Sequence, residues 1–254
     1  MSNHCEDESI TFSKLLLVEG KDEINLFTAL LGDLGLTGTI TIFETKGISK
    51  LRTKLAGIKV TSGYKLVQSI GIIRDADSDS NAAFQSVQGA LQSNDLPTPA
   101  EQMVFQQEHG KPSVGILIIP HGKQRGMLED VCLDSVENDA AMECVNGFFD
   151  CLQRKNRLLS ENDVPKAKVR AFLTSREWSE VAYFEGLQDC LLKRGPLPPE
   201  SPAIATLRAH AFLSSRYTPD LSLGDAAGKS NHEDSYWDFN HACFESIKTF
   251  LQMI

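Results

Sequence analysis

A chain of 254 residues with 41% hydrophobic, 23% charged and 7% aromatic residues has the make-up of a folded globular protein, long enough for one large domain or a domain with an appendage. Its net charge of −9 disfavours a protein that coats nucleic acid through a broad basic surface, yet leaves room for a phosphate-handling site built on divalent cations. No apolar stretch approaches the roughly 20 residues a membrane helix needs, and the acidic opening MSNHCEDESI lacks the apolar core of a secretory signal. Cys5, Cys132, Cys144, Cys151, Cys190 and Cys243 form no C-x-x-C pair and read as free thiols of a reducing compartment, so the cytoplasm is the expected location.

The first half alternates short β-rich runs with helical patterns. Leu15–Val18 is an apolar run, and Ile24, Leu26, Phe27, Leu30 and Leu31 follow at helical spacing. TITIF (39–43) predicts a second strand and Ile48–Leu55 a second helix. SIGII (69–73) predicts a third strand, followed by a helix through Ala82–Leu91. Residues 94–112 hold three prolines and read as a long loop before a fully apolar fourth strand, VGILII (114–119). Strands separated by helices imply right-handed βαβ crossovers and a parallel sheet covered on both faces. From Met127 onward the patterning is helical, near 127–157, 163–191, 203–213 and 238–252, with a turn-rich GPLPPESP at 195–202. The expected organisation is an α/β domain over 1–135 and a helical region over 136–254 packed on it.

The chemistry sits where strands end. The first apolar run closes in VEGKDE (18–23) and the third in RDADSD (74–79), so acids follow two separate buried strands. In parallel α/β sheets ligands bind beyond the carboxyl ends of the strands. If the two strands are neighbours, Glu19 converges with Asp75 and Asp77, and alternation in an extended segment would let that aspartate pair grip one ion. Oxygen-only donors suit Mg²⁺ or Mn²⁺ rather than zinc. An EF-hand reading of D-x-D-x-D fails because Ser80 replaces the glycine and Ser86 the closing glutamate. Helix capping by Asp22, Asp77 or Asp79 competes for one or two of these acids. Two basic stretches, Lys46 to Lys59 and Lys166 to Arg176, read equally well as solvated helix faces. The connector PHGKQRG (120–126) offers Lys123 and Arg125 as phosphate contacts, while His121 reads as a solvated loop residue. Trp178 and Trp237 read as core, and His232 lacks the partner a zinc helix needs.

VEGKDE and a strand ending in DADSD, about 55 residues apart, resemble the Toprim domain shared by type IA and type II topoisomerases, primases and nucleases of the overcoming-lysogenization-defect type. The resemblance covers about residues 13–135 and implies a Rossmann-like four-stranded parallel sheet. GMLEDVCL (126–133), KAKVRAFLTS (166–175) and WDF (237–239) are similar to stand-alone Toprim proteins of bacteria and archaea. Tyr64, Tyr183, Tyr217 and Tyr236 stand in no cleavage context, and the chain has no gate domains or zinc ribbon, so the topoisomerase and primase branches fit poorly. The nuclease branch implies metal ligands Glu19, Glu23 and Glu129 in one cluster and Asp75, Asp77 and Asp79 in another, holding two ions about 4 Å apart. It also implies Glu19 as general acid or base, and a catalytic lysine matched best by Lys168, with Lys166 as competitor.

The expected function is Mg²⁺- or Mn²⁺-dependent phosphodiester hydrolysis of DNA or RNA. The resemblance admits an ATPase partner in a bacterial defence system and a homo-oligomer, and no membrane. Two alternatives stay open: a nucleotidyltransferase or hydrolase acting on a small phosphorylated molecule, and a non-catalytic Toprim interaction module.

Overall fold

Four short strands hydrogen-bond side by side in the order β2-β1-β3-β4, all parallel. They are β1 (Lys14–Val18), β2 (Ile40–Glu44), β3 (Ser69–Asp75) and β4 (Ser113–Ile119). A computed structural model supplies these coordinates and describes residues 9–47, 50–157, 159–174 and 236–254. Trp178, Arg176, Tyr183, Tyr217, His232, the turn-rich 195–202 stretch and the helical pattern at 203–213 lie outside the described residues, as does the end of the 163–191 pattern.

The crossovers are helical, as the alternation predicts. α1 (Lys21–Asp33) links β1 to β2, α2 (Leu51–Val60) and a 3-10 turn (Tyr64–Leu66) link β2 to β3, and α3 (Ser80–Gln92) precedes β4. The helical region is α4 (Leu128–Ser135), α5 (Ala140–Arg154), α6 (Asp163–Thr174) and, after a 3-10 turn at Ala242–Phe244, α7 (Glu245–Met253). The single pattern expected over 127–157 thus breaks into α4 and α5. Among the described residues no helix is long and apolar enough to cross a membrane.

Period-two alternation divides the strands between two cores. Leu15, Leu17, Ile70, Ile72, Val114, Ile116 and Ile118 face α2 and α3, where Leu51, Leu55, Ile58, Ala83, Val87 and Leu91 complete the packing. Leu16, Val18, Ile73, Leu117 and Ile119 face the other way, against α1 and the helical region. There Phe172, Trp237, Phe250 and Ile254 join the same core as the strands, so the residues beyond 135 cover one face of the sheet. Gly71 makes this possible, because a Cβ there would collide with the side chains of Ile254 and Phe250. An ion pair of 3.2 Å between Lys248 and Asp33 joins α7 to α1.

The long loop before β4 seals an edge. Gln106 and Val114 exchange backbone hydrogen bonds of 2.8 and 2.9 Å, and the Gln102 side chain accepts from Ile118 N at 3.0 Å. Phe105 lies over Gly115, where no Cβ would fit. The donors and acceptors of an edge strand are therefore answered within the chain.

Candidate functional site

The strand order puts the crossover reversal between β1 and β3: the chain leaves β1 toward β2, then returns past β1 to form β3. A crevice opens at the carboxyl ends of strands on either side of such a reversal. Glu19 follows β1 and Asp75 ends β3, on these two neighbouring strands. The condition set by the sequence, that the two acid-terminated strands be adjacent, is met.

Two helices aim their N-termini at this crevice. α1 begins at Lys21 with Asp22 and Glu23 in its first turn, and α4 begins at Leu128 with Glu129 and Asp130 in its own. Glu23 folds back over Gly20; a Cβ on that residue would stand 3.1 Å from Glu23 Oε2. Gly20 leaves open the space beside which this second carboxylate lies. Asp75 Oδ1 accepts from Leu128 N at 2.9 Å, which welds the end of β3 to the start of α4. Asp130 Oδ2 accepts from Met127 N at 2.8 Å and closes the same turn. Partial positive charge at both helix ends favours the anions gathered there.

The electrostatics identify which acids act on one another. Burial, followed by the carboxylates of Glu129, Glu23 and Glu19, holds Asp75 well above the ordinary carboxylate range. Burial also pushes Glu23 up to about 7, opposed by a hydrogen bond from its own backbone amide and aided by Glu19, Glu129 and Asp22. Glu129 is raised by burial, against its own backbone amide and the Lys166 ammonium, which lower it. Glu19, Glu23, Asp75 and Glu129 thus form one mutually repelling group.

Asp77 and Asp79 stand apart from that group, and the two-cluster arrangement expected from the resemblance is redrawn. The chain leaves the strand at Asp75, and Asp77 takes a left-handed conformation with φ 51°. Period-two alternation therefore does not carry past Asp75. The Asp77 carboxylate turns toward Arg74, with Oδ2 4.0 Å from Nη2. Asp79 is the N-cap of α3, its Oδ1 accepting from Asn81 N at 2.9 Å and Ala82 N at 3.1 Å. Capping, the competing explanation for these acids, holds for Asp79.

The basic residues are also redistributed. Lys123 Nζ lies 2.8 Å from Asp134 Oδ2 and Arg125 Nη2 lies 2.6 Å from Glu161 Oε2, so both cations of the 120–126 connector have acidic partners. The connector is strapped to the aspartate turn by hydrogen bonds from Gly126 N to Asp77 O at 2.9 Å and from Ser80 N to Gln124 O at 2.8 Å. Lys168 donates to Asn146 Oδ1 at 2.7 Å and lies 5.8 Å from the Phe149 ring centroid. Lys166 is the lysine whose charge reaches Glu129, while that of Lys168 reaches Asp130.

Arg74 and Asp130 are the residues that sequence reasoning missed. The signal for Arg74 was present: an arginine at the sixth position of the apolar strand SIGIIRD must find partners or stay in water. The donor set of Glu19, Glu23, Asp75 and Glu129 suits a hard divalent cation in chemistry, being all carboxylate oxygen. Among the described residues, no group of three or more His, Cys, Asp and Glu side chains is arranged to hold an ion as it stands. The glutamates are instead satisfied by their own backbone amides.

A family model described as a protein of unknown function (DUF3226) matches residues 13–184 of the chain. No curated protein and no solved structure matches it.

Proposed function

We propose, for a chain that belongs to the DUF3226 family of proteins of unknown function, a Toprim-type phosphodiesterase that hydrolyses DNA or RNA with Mg²⁺ or Mn²⁺. The observation that carries this reading is the convergence of Glu19, Glu23, Asp75 and Glu129 between the ends of β1 and β3, where crossover direction reverses. Mutual repulsion among partly buried carboxylates is a cost that a divalent cation relieves.

In this reading Glu23, Asp75 and Glu129 would hold the ion. When bound, such an ion supplies Lewis acidity that activates water and neutralises phosphoryl charge. Glu19 would take the proton of the attacking water, whose oxygen bonds to phosphorus as the P–O ester bond breaks, and the departing ester oxygen would take up that proton. Lys166, the cation in reach of Glu129, steadies the charge that grows on the phosphoryl oxygens. Asp75 keeps its second oxygen for the site while the first holds Leu128 N. The free thiols of Cys132, Cys144, Cys151 and Cys243 support a reducing cytoplasm as the setting. With a net charge of −9, delivery of a long polyanion by a partner such as an ATPase belongs to this reading.

The test is cleavage of plasmid DNA and of RNA with Mn²⁺ or Mg²⁺ by wild type, Asp75→Asn, Lys166→Met and Lys168→Met. Asp75→Asn is expected to lose at least about 100-fold and Lys166→Met more than Lys168→Met. Cleavage undiminished in Asp75→Asn, or absent from wild type with every metal and substrate, would overturn the reading. The pairing of Lys123 with Asp134 and of Arg125 with Glu161 favours a second one, a small phosphorylated substrate that needs no extended basic track. A melting-temperature screen of nucleotides with Mg²⁺ separates the two, since a tight ligand stabilises by mass action.

A further inference from the structure

The carboxylates of this site repel one another, and on the opposite face of β3 an arginine, Arg74, stands beside Asp77. Ile70 and Ile72 of β3 face α2 and α3, and strand alternation puts Arg74 on that same face. Its side chain is only 12% exposed. Nη1 donates to Ala83 O in α3 at 3.0 Å, Nη2 stands 4.0 Å from Asp77 Oδ2, and Nε is enclosed with no hydrogen-bond partner among the described residues. A guanidinium can address a helix carbonyl and a carboxylate from one planar fork, which an ammonium cannot.

Asp77 is the unusual partner in this arrangement. It is half exposed and holds φ 51°, a left-handed conformation that aspartate adopts more readily than most side chains. Two contacts keep it there: its carbonyl accepts from Gly126 N at 2.9 Å, and its carboxylate faces Arg74. Burial lowers the Arg74 pKa, while the charges of Asp77, Glu19 and Asp75 raise it, so the arginine sits in the field of acids on both strands. The guanidinium thus bonds α3 through Ala83 O and holds its charge toward Asp77, with one N–H unanswered.

We propose that Arg74 is a positioning residue of the acidic site: a built-in cation that turns Asp77 back from the strand direction, ties the 75–79 turn to α3, and in the metal-free protein stands in for part of the charge an ion brings. The counter-ion role stands on the metal-free geometry alone; only its consequence for ion binding rests on the function proposed above.

A double-mutant cycle in metal-free protein at pH 8 tests the first part by chemical unfolding of wild type, Arg74→Gln, Asp77→Asn and the double variant. The unfolding constant of the double variant should change about threefold less than the product of the single changes, because either substitution alone strands a charge. Additive changes would overturn the proposal. Should Arg74→Gln not fold, the same cycle with Arg74→Met, which also removes the charge and keeps the aliphatic stem, reads the same coupling. Calorimetric titration with Mn²⁺ tests the second part. Because the charges of Glu19 and Asp75 act on Arg74, removing its positive charge should tighten Mn²⁺ binding by Arg74→Gln severalfold, and Arg74→Lys should bind as wild type does. A purely structural arginine predicts unchanged affinity in the folded protein, and that result would overturn the counter-ion role. Absence of Mn²⁺ uptake by wild type would overturn the metal reading instead, and the metal-free cycle would still decide for or against Arg74.

Discussion

Replacing Glu23 by glutamine should stabilise the metal-free protein at alkaline pH and do nothing of the kind in acid. Glu23 is partly buried, its carboxylate lies against Gly20, and Glu19, Glu129 and Asp22 act on it. These surroundings move it from an ordinary 4.5 to about 7. The folded state thus disfavours the ionised form by a few hundredfold, about 3 kcal/mol at 1.36 kcal/mol per tenfold. The sign follows from linkage. A carboxyl whose folded pKa is raised binds protons more tightly when folded, so its contribution to stability is greatest below 4.5 and is lost as pH rises through 7. Glutamine keeps the shape and the acceptor oxygen but never ionises. Part of the repulsion is shared with Asp75 and Glu129, so the gain at pH 8 should be about 1–3 kcal/mol, or roughly 3–10 °C in melting temperature for a chain of this size. At pH 4 wild type and variant should melt together. Urea unfolding and thermal melts in chelator-treated buffer measure both. If Glu23→Gln is no more stable than wild type at pH 8, or if its effect is the same at both pH values, the convergence of carboxylates is wrong.

Asp79→Ala should cost about 1 kcal/mol at pH 8, because α3 loses the acceptor for Asn81 N and Ala82 N; unlike Asp75→Asn, it should leave the gain in melting temperature from millimolar Mn²⁺ intact. Phe250→Ala should cost about 3–5 kcal/mol, since this fully buried ring packs on Phe105 at 5.4 Å between centroids and beside Gly71 at the middle of the sheet. Chemical unfolding checks it, and a loss below 1 kcal/mol would mean that α7 does not hold the sheet face.

Much of the fold is legible locally because burial leaves a periodic trace. LLLV, SIGII and VGILII are continuous apolar runs, as strands covered on both faces must be, and the helical spacing between them predicts crossovers and hence a parallel sheet. Glu19 and Asp75 could be singled out for a related reason. Each is an acid at the end of a buried run, where a charge needs an explanation beyond solubility, whereas Glu23 and Glu129 entered only through the Toprim resemblance. The break between α4 and α5 carries neither proline nor glycine and is marked only by Asn138 and Asp139, of which Asp139 caps α5 by accepting from Ala141 N at 2.8 Å.

The order of the strands was beyond the sequence. Nothing in residues 14–18 and 69–75 says that β1 and β3 are neighbours; that depends on how two crossovers pack, and it alone brings Glu19 to Asp75. The direction of Asp77 was also decided in three dimensions, because a backbone rotation to φ 51° follows from contacts with Gly126 and Arg74 far or oddly placed in sequence, and it defeats the alternation rule. Lys166 and Lys168 are two residues apart on α6 and so point about 200° apart, and the charge of one reaches Glu129 while that of the other reaches Asp130. Sequence determines which residues must be buried and which charges are out of place, through periods of two and 3.6 that any short segment carries. Which of those charges meet depends on packing between segments, and here that packing gathered four of the six expected acids, capped a helix with one, and set an arginine against the last.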